Sequence, residues 1–165
     1  MVEHSNSKKP VSTGQIDVET LNPAHEAGST FVPVEPFEIV VFGGTGDLAR
    51  RKLIPSLYHR YCDGQIPADS KIIGASRSIL TRDEYLDLIK NAYQTFNPNA
   101  EFSEKKWNAF CELVEYAPID VTTDKDWAGL GDKLDADKKL IRVFYLAMPP
   151  ALFSNICQGL SLIHI

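Results

Sequence analysis

The sequence predicts an α/β fold whose centre is a doubly wound parallel sheet. Three observations support this prediction. From residue 37 onward, short apolar runs alternate with amphipathic segments, which is the pattern of successive βαβ units. A glycine-rich turn joins the first apolar run to the first amphipathic segment, and a pair of prolines closes the last apolar run. Because the sequence ends soon after that run, we expect the sheet to be incomplete.

The composition places the chain among globular proteins. Its 165 residues, 44% hydrophobic and 24% charged, are enough for one domain with a buried core. The net charge of −5 disfavours binding through bulk positive charge, so we expect no nucleic-acid partner. Three widely spaced cysteines without a C-x-x-C pair argue against a disulfide framework and a zinc site, and no metal is predicted. No apolar run approaches the roughly 20 residues that span a bilayer, so we expect a cytoplasmic protein without membrane contact.

The first 36 residues differ in texture from the rest of the chain. Residues 1–36 are rich in Ser, Thr, Asn, Pro and Glu and have neither helical nor strand periodicity. We predict a flexible N-terminal extension there. A dispensable solvated tail is the simpler interpretation, and a targeting or partner segment is the alternative.

Apolar periodicity and helix-capping signals place the individual elements in chain order. Strands are predicted at residues 37–42, 71–76, about 115–120 and 142–148. Helices are predicted at residues 47–62, 81–96, about 103–114 and about 124–134, and an amphipathic stretch follows residue 150. A capping box from Thr81 to Glu84 begins the second helix, and Asn97 followed by proline ends it. The first helix is predicted despite Pro55 in its interior.

The glycine-rich turn after the first strand is the most informative segment. In a Rossmann-type dinucleotide-binding unit, such a turn brings backbone N–H groups and a helix N-terminus against a pyrophosphate, where side chains would block the approach. Gly43 permits the tight turn, Gly46 lets the backbone close on the phosphates, and the small Ala49 lets the helix pack on the strand. The spacing G-x-x-G-x-x-A is a common variant in NADP-binding proteins, and no G-K-[ST] follows that would make a P-loop. A βα turn without a ligand is the alternative.

The end of the second strand indicates which dinucleotide is bound. An NAD-binding unit has an acidic residue there, which receives the ribose 2′-hydroxyl. This chain has Ser-Arg-Ser at residues 76–78, and the Arg77 guanidinium suits a 2′-phosphate. We therefore predict NADP rather than NAD, with a solvated surface arginine as the alternative. Arg50, directly after the turn, is a second candidate neighbour of a phosphate.

The proline pair at residues 149 and 150 follows the last strand, at the edge where open α/β sheets place their ligands. Proline there can hold an irregular backbone, a cis bond being one means, and can leave a carbonyl for a ring such as nicotinamide. A plain strand terminator is the alternative.

Taken together, three segments resemble the coenzyme domain of the glucose-6-phosphate dehydrogenase family. The family pattern is G-[AG]-x-G-D-L-A-x-[RK]-K-L after a strand, then a second strand that ends in Gly-x-x-Arg, and later Phe-Tyr-x-Ala-[LM]-Pro-Pro. This chain has the corresponding residues at 43–53, 74–77 and 144–150, in that order. The resemblance covers residues 37–159, the predicted NADP-binding domain, and is greatest to bacterial members.

The resemblance implies a set of residues that contact NADP. They are Gly43, Gly44, Thr45, Gly46, Asp47, Leu48, Ala49, Arg50, Arg77, Asp120, Val121, Met148 and Pro149. Arg77 would bind the 2′-phosphate, Asp120 and Val121 would lie near the adenosine, and Met148 and Pro149 near the nicotinamide. The family enzyme, commonly a homo-oligomer, oxidises glucose 6-phosphate at C1 to 6-phosphogluconolactone and passes a hydride to NADP in the pentose phosphate pathway.

Two motifs of the family do not occur in this sequence. In the family, Glu-Lys-Pro takes part in sugar binding, and the histidine of Asp-His-Tyr-Leu-Gly-Lys is the general base. We therefore assign no catalytic residue, and we interpret His59 as a surface or packing histidine. We expect this chain by itself to bind NADP weakly and not to oxidise the sugar. A standalone NADP-binding or redox-sensing module is the alternative, whereas a short-chain reductase is disfavoured because no Tyr-x-x-x-Lys occurs.

The last six residues, 160–165, depart from the family pattern. Their sequence, Leu-Ser-Leu-Ile-His-Ile, matches the translation of a transposon-end adapter used in sequencing libraries. We therefore predict that they are non-native read-through and that the natural protein continues beyond Gly159. Such an apolar tail would lack a partner and would leave an exposed apolar surface that favours association. A genuine short protein is the alternative.

Overall fold

Four parallel strands form the central sheet of the computed structural model, which describes residues 34–134 and 140–163. They are β1 (Phe37–Phe42), β2 (Lys71–Ser76), β3 (Val114–Pro118) and β4 (Ile141–Leu146). Their spatial order is β3-β2-β1-β4. The chain moves outward from β1 to β3 and then crosses back to the other side of β1. This reversal is the switch point of a doubly wound sheet, so the predicted fold class is confirmed.

Helices connect the strands and pack on both faces of the sheet. They are α1 (Ile54–Cys62), α2 (Arg82–Phe96), α3 (Glu104–Cys111), α4 (Trp127–Gly131) and α5 (Phe153–Leu162). The capping box predicted for α2 is present, with the Thr81 side chain accepting from the Glu84 N–H and the Glu84 carboxylate accepting from the Thr81 N–H. The fourth helix is shorter than predicted, and β3 begins and ends earlier than predicted.

The first predicted helix, 47–62, contains a π-helical turn over Ala49–Leu53, directly before α1. Within it, the Ile54 N–H donates to the Ala49 carbonyl, five residues back. Pro55 follows, and a proline ring crowds the carbonyl four residues before it. A wider turn at this point relieves that crowding, so the helix continues past the proline.

Two separate cores cover the faces of the sheet, and β1 contributes to both. Ile39 and Val41 face the first core, beneath α1, α2 and α3, whereas Val40 and Phe42 face the second, beneath α4 and α5. A strand buried on both faces has a continuous apolar run rather than an alternating one, which explains the run at residues 39–42 of β1.

The outer strand β4 is covered on one face only. Phe144 and Leu146 pack against the second core. The alternating residues on the other face are exposed, Ile141 by 59%, Val143 by 41% and Tyr145 by 39%. Apolar side chains of the sheet therefore remain open on the side of the first core.

Several sequence predictions fall partly or wholly outside the described residues. Of the predicted N-terminal extension, only residues 34–36 are described, and they form neither helix nor strand. Of the predicted read-through segment, residues 160–162 continue α5, and residues 164 and 165 are not described. The flexibility of the extension and the read-through origin of the last residues therefore remain predictions. The expectation that the apolar tail lacks a partner is wrong, because Leu160 and Ile163 pack against the second core. Among the described residues, no helix is long and apolar enough to cross a membrane, and no group of three acidic, histidine or cysteine side chains is arranged to hold a metal.

Candidate dinucleotide-binding site

The glycine turn lies at the carboxyl end of β1, at the switch point of the sheet. Gly43 has a φ of 85°, in the left-handed region that favours glycine. Its N–H and that of Gly44 both donate to the Ala75 carbonyl, at 2.8 and 3.0 Å. A Cβ on Gly43 would collide with the Ala147 carbonyl oxygen. The turn therefore needs glycine both for its conformation and for its close approach to the end of β4.

The second glycine of the turn packs against β2. A Cβ on Gly44 would lie 2.9 Å from the Cα of Gly74, and a Cβ on Gly74 would collide with the Tyr85 hydroxyl. That hydroxyl donates to the Gly44 carbonyl at 3.3 Å. The family pattern has a glycine at position 74, and here its lack of a side chain admits the Tyr85 ring.

A cleft of about 510 Å³ opens beside the turn, across the carboxyl ends of the strands. Most of the residues predicted to contact NADP line it, namely Gly43, Thr45, Gly46, Arg77, Asp120, Val121, Met148 and Pro149. The others lie along the turn and the helix that follows, namely Gly44, Asp47, Leu48, Ala49 and Arg50. A cleft of this volume suits a small organic ligand.

Arg50, in the helix after the glycine turn, has a buried polar atom without a partner in the described part of the chain. Its Nε is buried and makes no hydrogen bond to any described residue. A buried guanidinium N–H without an acceptor is costly, and a phosphate oxygen would satisfy it. The place of Arg50 in the helix that follows the glycine turn fits the phosphates of a dinucleotide.

Arg77 and Asp120 both line the cleft. Arg77 follows β2 and is exposed. The Asp120 carboxylate accepts from the Thr122 hydroxyl at 2.7 Å and from the Thr122 N–H at 3.0 Å. These hydrogen bonds lower the pKa of Asp120, and the charge of Arg77 lowers it further. The cleft thus presents one permanently charged cation, Arg77, and one carboxylate that stays ionised, Asp120.

The proline pair is ordinary in its peptide geometry. Every described peptide bond is trans, so the suggested cis bond is wrong. The Pro149 carbonyl accepts from the Leu152 N–H at 3.0 Å, as the first turn of the helix after β4 begins. One lone pair of that carbonyl is therefore engaged within the chain.

A hydroxyl network that starts in the wall of the cleft was not predicted from the sequence. Thr45 Oγ1 donates to Ser76 Oγ at 3.0 Å, and Ser76 Oγ lies 2.7 Å from the Tyr116 hydroxyl. Tyr116 comes to this place because the register of β2 and β3 pairs it with Gly74. No local pattern signals such a contact, since its partners are separated by 31 and 40 residues.

A second cavity, of about 500 Å³, shares no residue with the cleft. His59 lies in its wall, with Nε2 2.9 Å from the Tyr93 hydroxyl and the two rings in edge contact. The structure therefore places His59 against a packed tyrosine and away from the candidate site.

The sequence matches the family described as "Glucose-6-phosphate dehydrogenase, NAD binding domain" over residues 40–165. The chain belongs to the glucose-6-phosphate dehydrogenase family. It is 44% identical to the glucose-6-phosphate 1-dehydrogenase of Rhizobium meliloti over 130 residues, which are 79% of this chain and 26% of that relative. The resemblance inferred from three motifs is thus confirmed.

Solved glucose-6-phosphate dehydrogenases have the same fold in this region. The enzyme of Mycobacterium avium superposes with a TM-score of 0.70 and 28% identity, over 78% of this chain and 27% of that one. A second structure, described as glucose-6-phosphate dehydrogenase in complex with its substrate glucose-6-phosphate, has a TM-score of 0.68 and 31% identity, over 79% and 28% of the two chains. The chain thus corresponds to the N-terminal, nicotinamide-dinucleotide-binding part of the family's oxidoreductases and spans about a quarter of their length.

Proposed function

We propose that this chain is the coenzyme-binding part of an NADP-dependent glucose-6-phosphate dehydrogenase. The complete enzyme would oxidise glucose 6-phosphate at C1 to 6-phosphogluconolactone, in the pentose phosphate pathway. One observation carries the proposal: the glycine turn, the Arg77 end of β2 and the Pro149 end of β4 meet around a single cleft at the switch point. The relatives are glucose-6-phosphate dehydrogenases by name, which supports glucose 6-phosphate as the substrate.

We propose that two cations bind the phosphates, one in the lining of the cleft and one in the helix after the glycine turn. Arg50, whose Nε lacks an acceptor among the described residues, binds the pyrophosphate together with N–H groups at the start of the helix that follows the turn. Arg77, exposed at the end of β2, binds the 2′-phosphate. The position that is acidic in an NAD site is thus a cation here, which supports NADP.

The remaining lining residues orient the two ends of the cofactor. Asp120 and Val121, after β3, contact the adenosine, and Met148 and Pro149, after β4, lie beside the nicotinamide. When bound, NADP supplies the hydride acceptor. This chain's own residues bind and orient it, and none is proposed as the base that removes the C1 hydroxyl proton. The 165-residue chain therefore binds NADP without oxidising the sugar.

Family similarity supports two further proposals for the full-length enzyme, a homo-oligomeric state and a cytoplasmic location. Membership of an enzyme family does not favour the alternative of a standalone module without catalysis.

Calorimetric titration of the 165-residue chain with NADP and with NAD tests the proposed cofactor. We expect tighter binding of NADP, and Arg77→Ala should weaken it by about tenfold or more while leaving NAD binding nearly unchanged. Arg60→Ala is the matched control, because Arg60 bonds to Gln65 and lies outside the cleft. Equal affinity of the wild-type chain for both dinucleotides would contradict the proposal.

A further inference from the structure

Two stacked phenols lie behind the candidate site. Tyr85 of α2 and Tyr116 of β3 pack with ring centroids 4.6 Å apart and planes 25° apart, and neither is more than 2% exposed. Their hydroxyls reach different loops. Tyr85 donates to the Gly44 carbonyl in the glycine turn, and Tyr116 donates to the Ser78 carbonyl, just beyond Arg77, at 2.6 Å. The pair thus connects the two segments proposed to bind phosphate.

The direction of the hydrogen bonds at Tyr116 follows from its single hydroxyl hydrogen. The Ser78 carbonyl can only accept, so at 2.6 Å it takes that hydrogen. Ser76 must then donate to the Tyr116 oxygen, 2.7 Å away. Ser76 Oγ in turn accepts from Thr45 Oγ1 at 3.0 Å and from the Ser78 N–H at 3.3 Å. Donation therefore runs one way, from the glycine turn through Ser76 and Tyr116 to the backbone after Arg77.

Both phenols remain neutral donors at ordinary pH. Burial raises the pKa of each phenol, and a negative charge on Tyr116 would raise the pKa of Tyr85 further. A buried hydroxyl network in which every member has a partner favours a single arrangement, because each alternative leaves a polar group unsatisfied. This network holds the Ser78 N–H and carbonyl after Arg77, and the Ser76 carbonyl before Arg77 lies 3.4 Å from the Tyr116 hydroxyl. The Arg77 side chain itself is exposed.

We propose that Tyr116 is a positioning residue that holds the Arg77 loop against the glycine turn and so sets selectivity for a ribose 2′-phosphate. This inference rests on the proposed function, since it requires that Arg77 binds that phosphate. Tyr116 does not line the cleft. Its hydroxyl acts through Ser76 and Ser78, and the stacked Tyr85 ring keeps it in place.

Calorimetric titration of the 165-residue Tyr116→Phe variant with NADP and NAD tests the inference. The substitution removes the hydroxyl and keeps the stacked ring. We expect NADP binding to weaken by about tenfold, with NAD binding changed by less than about twofold. Tyr93→Phe is the matched control, because it removes a buried tyrosine hydroxyl whose partner, His59, lies in the other cavity. It should leave the ratio of the two affinities unchanged.

Amide hydrogen exchange of the ligand-free chain gives a second readout that needs no nucleotide. The Ser78 amide, bonded to Ser76 Oγ, should exchange faster in Tyr116→Phe than in the wild type. Ser76→Ala removes the donor to Tyr116 and should lower the ratio of NADP to NAD affinity in the same direction. This variant replaces Tyr116→Phe if Tyr116→Phe does not fold.

The results separate the inference from the proposed cofactor. A wild-type preference for NADP that survives both substitutions would overturn the positioning role alone. So would an equal loss of affinity for both dinucleotides, which indicates general loosening of the site. A wild-type chain that binds both dinucleotides equally would overturn the proposed cofactor and the inference together.

Discussion

Glu38 and Arg142 form a buried ion pair across neighbouring parallel strands. The Arg142 Nε donates to Glu38 Oε2 at 2.6 Å, and their side chains are 13% and 0% exposed. The two residues are direct partners in the register of β1 and β4. β4 is the last described strand and is open on one face, so this pair joins the outer strand to the centre of the sheet.

We expect Glu38→Ala to lower the free energy of unfolding by about 3–5 kcal/mol, because it leaves a largely buried guanidinium without this carboxylate. Urea denaturation of the purified chain measures the change. The control is Glu104→Ala, which breaks the exposed pair with Lys90 and should cost at most about 1 kcal/mol. Similar costs for the two variants would show that burial does not set the strength of the Glu38 pair.

Gly43→Ala should impair both stability and dinucleotide binding. The residue has a positive φ, and its Cβ would meet the Ala147 carbonyl, so the turn and the end of β4 must separate. Gly64→Ala is a close control, since Gly64 has a φ of 72° with nothing within 4 Å of its Cβ. That control should lose only about 1 kcal/mol of stability and retain NADP affinity. An unaffected cofactor affinity in Gly43→Ala would contradict the close approach seen here.

A glycine in α5 allows that helix to pack on an indole ring. A Cβ on Gly159 would collide with the ring of Trp127, so Gly159→Ala should destabilise the chain by about 1–3 kcal/mol through overpacking. Gly129→Ala, in the open part of α4, should instead be neutral or stabilising by up to about 1 kcal/mol, since alanine favours helix. Thermal unfolding of both variants distinguishes the two cases. Equal effects of the two substitutions on stability would show that Gly159 of α5 does not pack against the Trp127 ring.

We expect the buried Cys111 thiol to make the folded chain less stable at alkaline pH. Burial, the largest cause, raises the pKa of Cys111 from 9.0 to about 11. A group whose pKa is higher in the folded state contributes its full stabilisation at pH values below its pKa in the unfolded state. That contribution is lost as the pH rises through its pKa in the folded state. The stability difference between the wild type and Cys111→Ala should therefore narrow from about pH 9 to about pH 11. A difference that stays constant over this range would show that the thiol is not shielded from water.

Much of the site followed from local sequence. Gly43 and Gly46 mark the turn because few residues other than glycine allow such close backbone approaches, and Arg77 stands out because it replaces an expected acid. The structure brings these residues to one cleft, with Asp120 and Met148 beside them. Their contact with a cofactor is a prediction for the titrations above.

Other features could not be predicted from short stretches of sequence. Tyr116 resembles any buried strand tyrosine until the register of β2 and β3 sets it beside Ser76. The carbonyl of Pro149 looked free for a ligand, yet the following turn uses one of its lone pairs. The π-helical turn before Pro55 depends on how the chain absorbs a proline inside a helix, for which several local solutions exist.

The strands, the glycine turn and the family could be predicted from the amino-acid sequence, because apolar periodicity, glycine conformation and motif spacing are properties of neighbouring residues. The strand order, the Glu38–Arg142 pair and the hydroxyl chain from Thr45 to Ser78 became visible in the folded chain. Each of these joins residues that are far apart in sequence, so it depends on how strands align across the sheet. That alignment is set by the packing of both cores together.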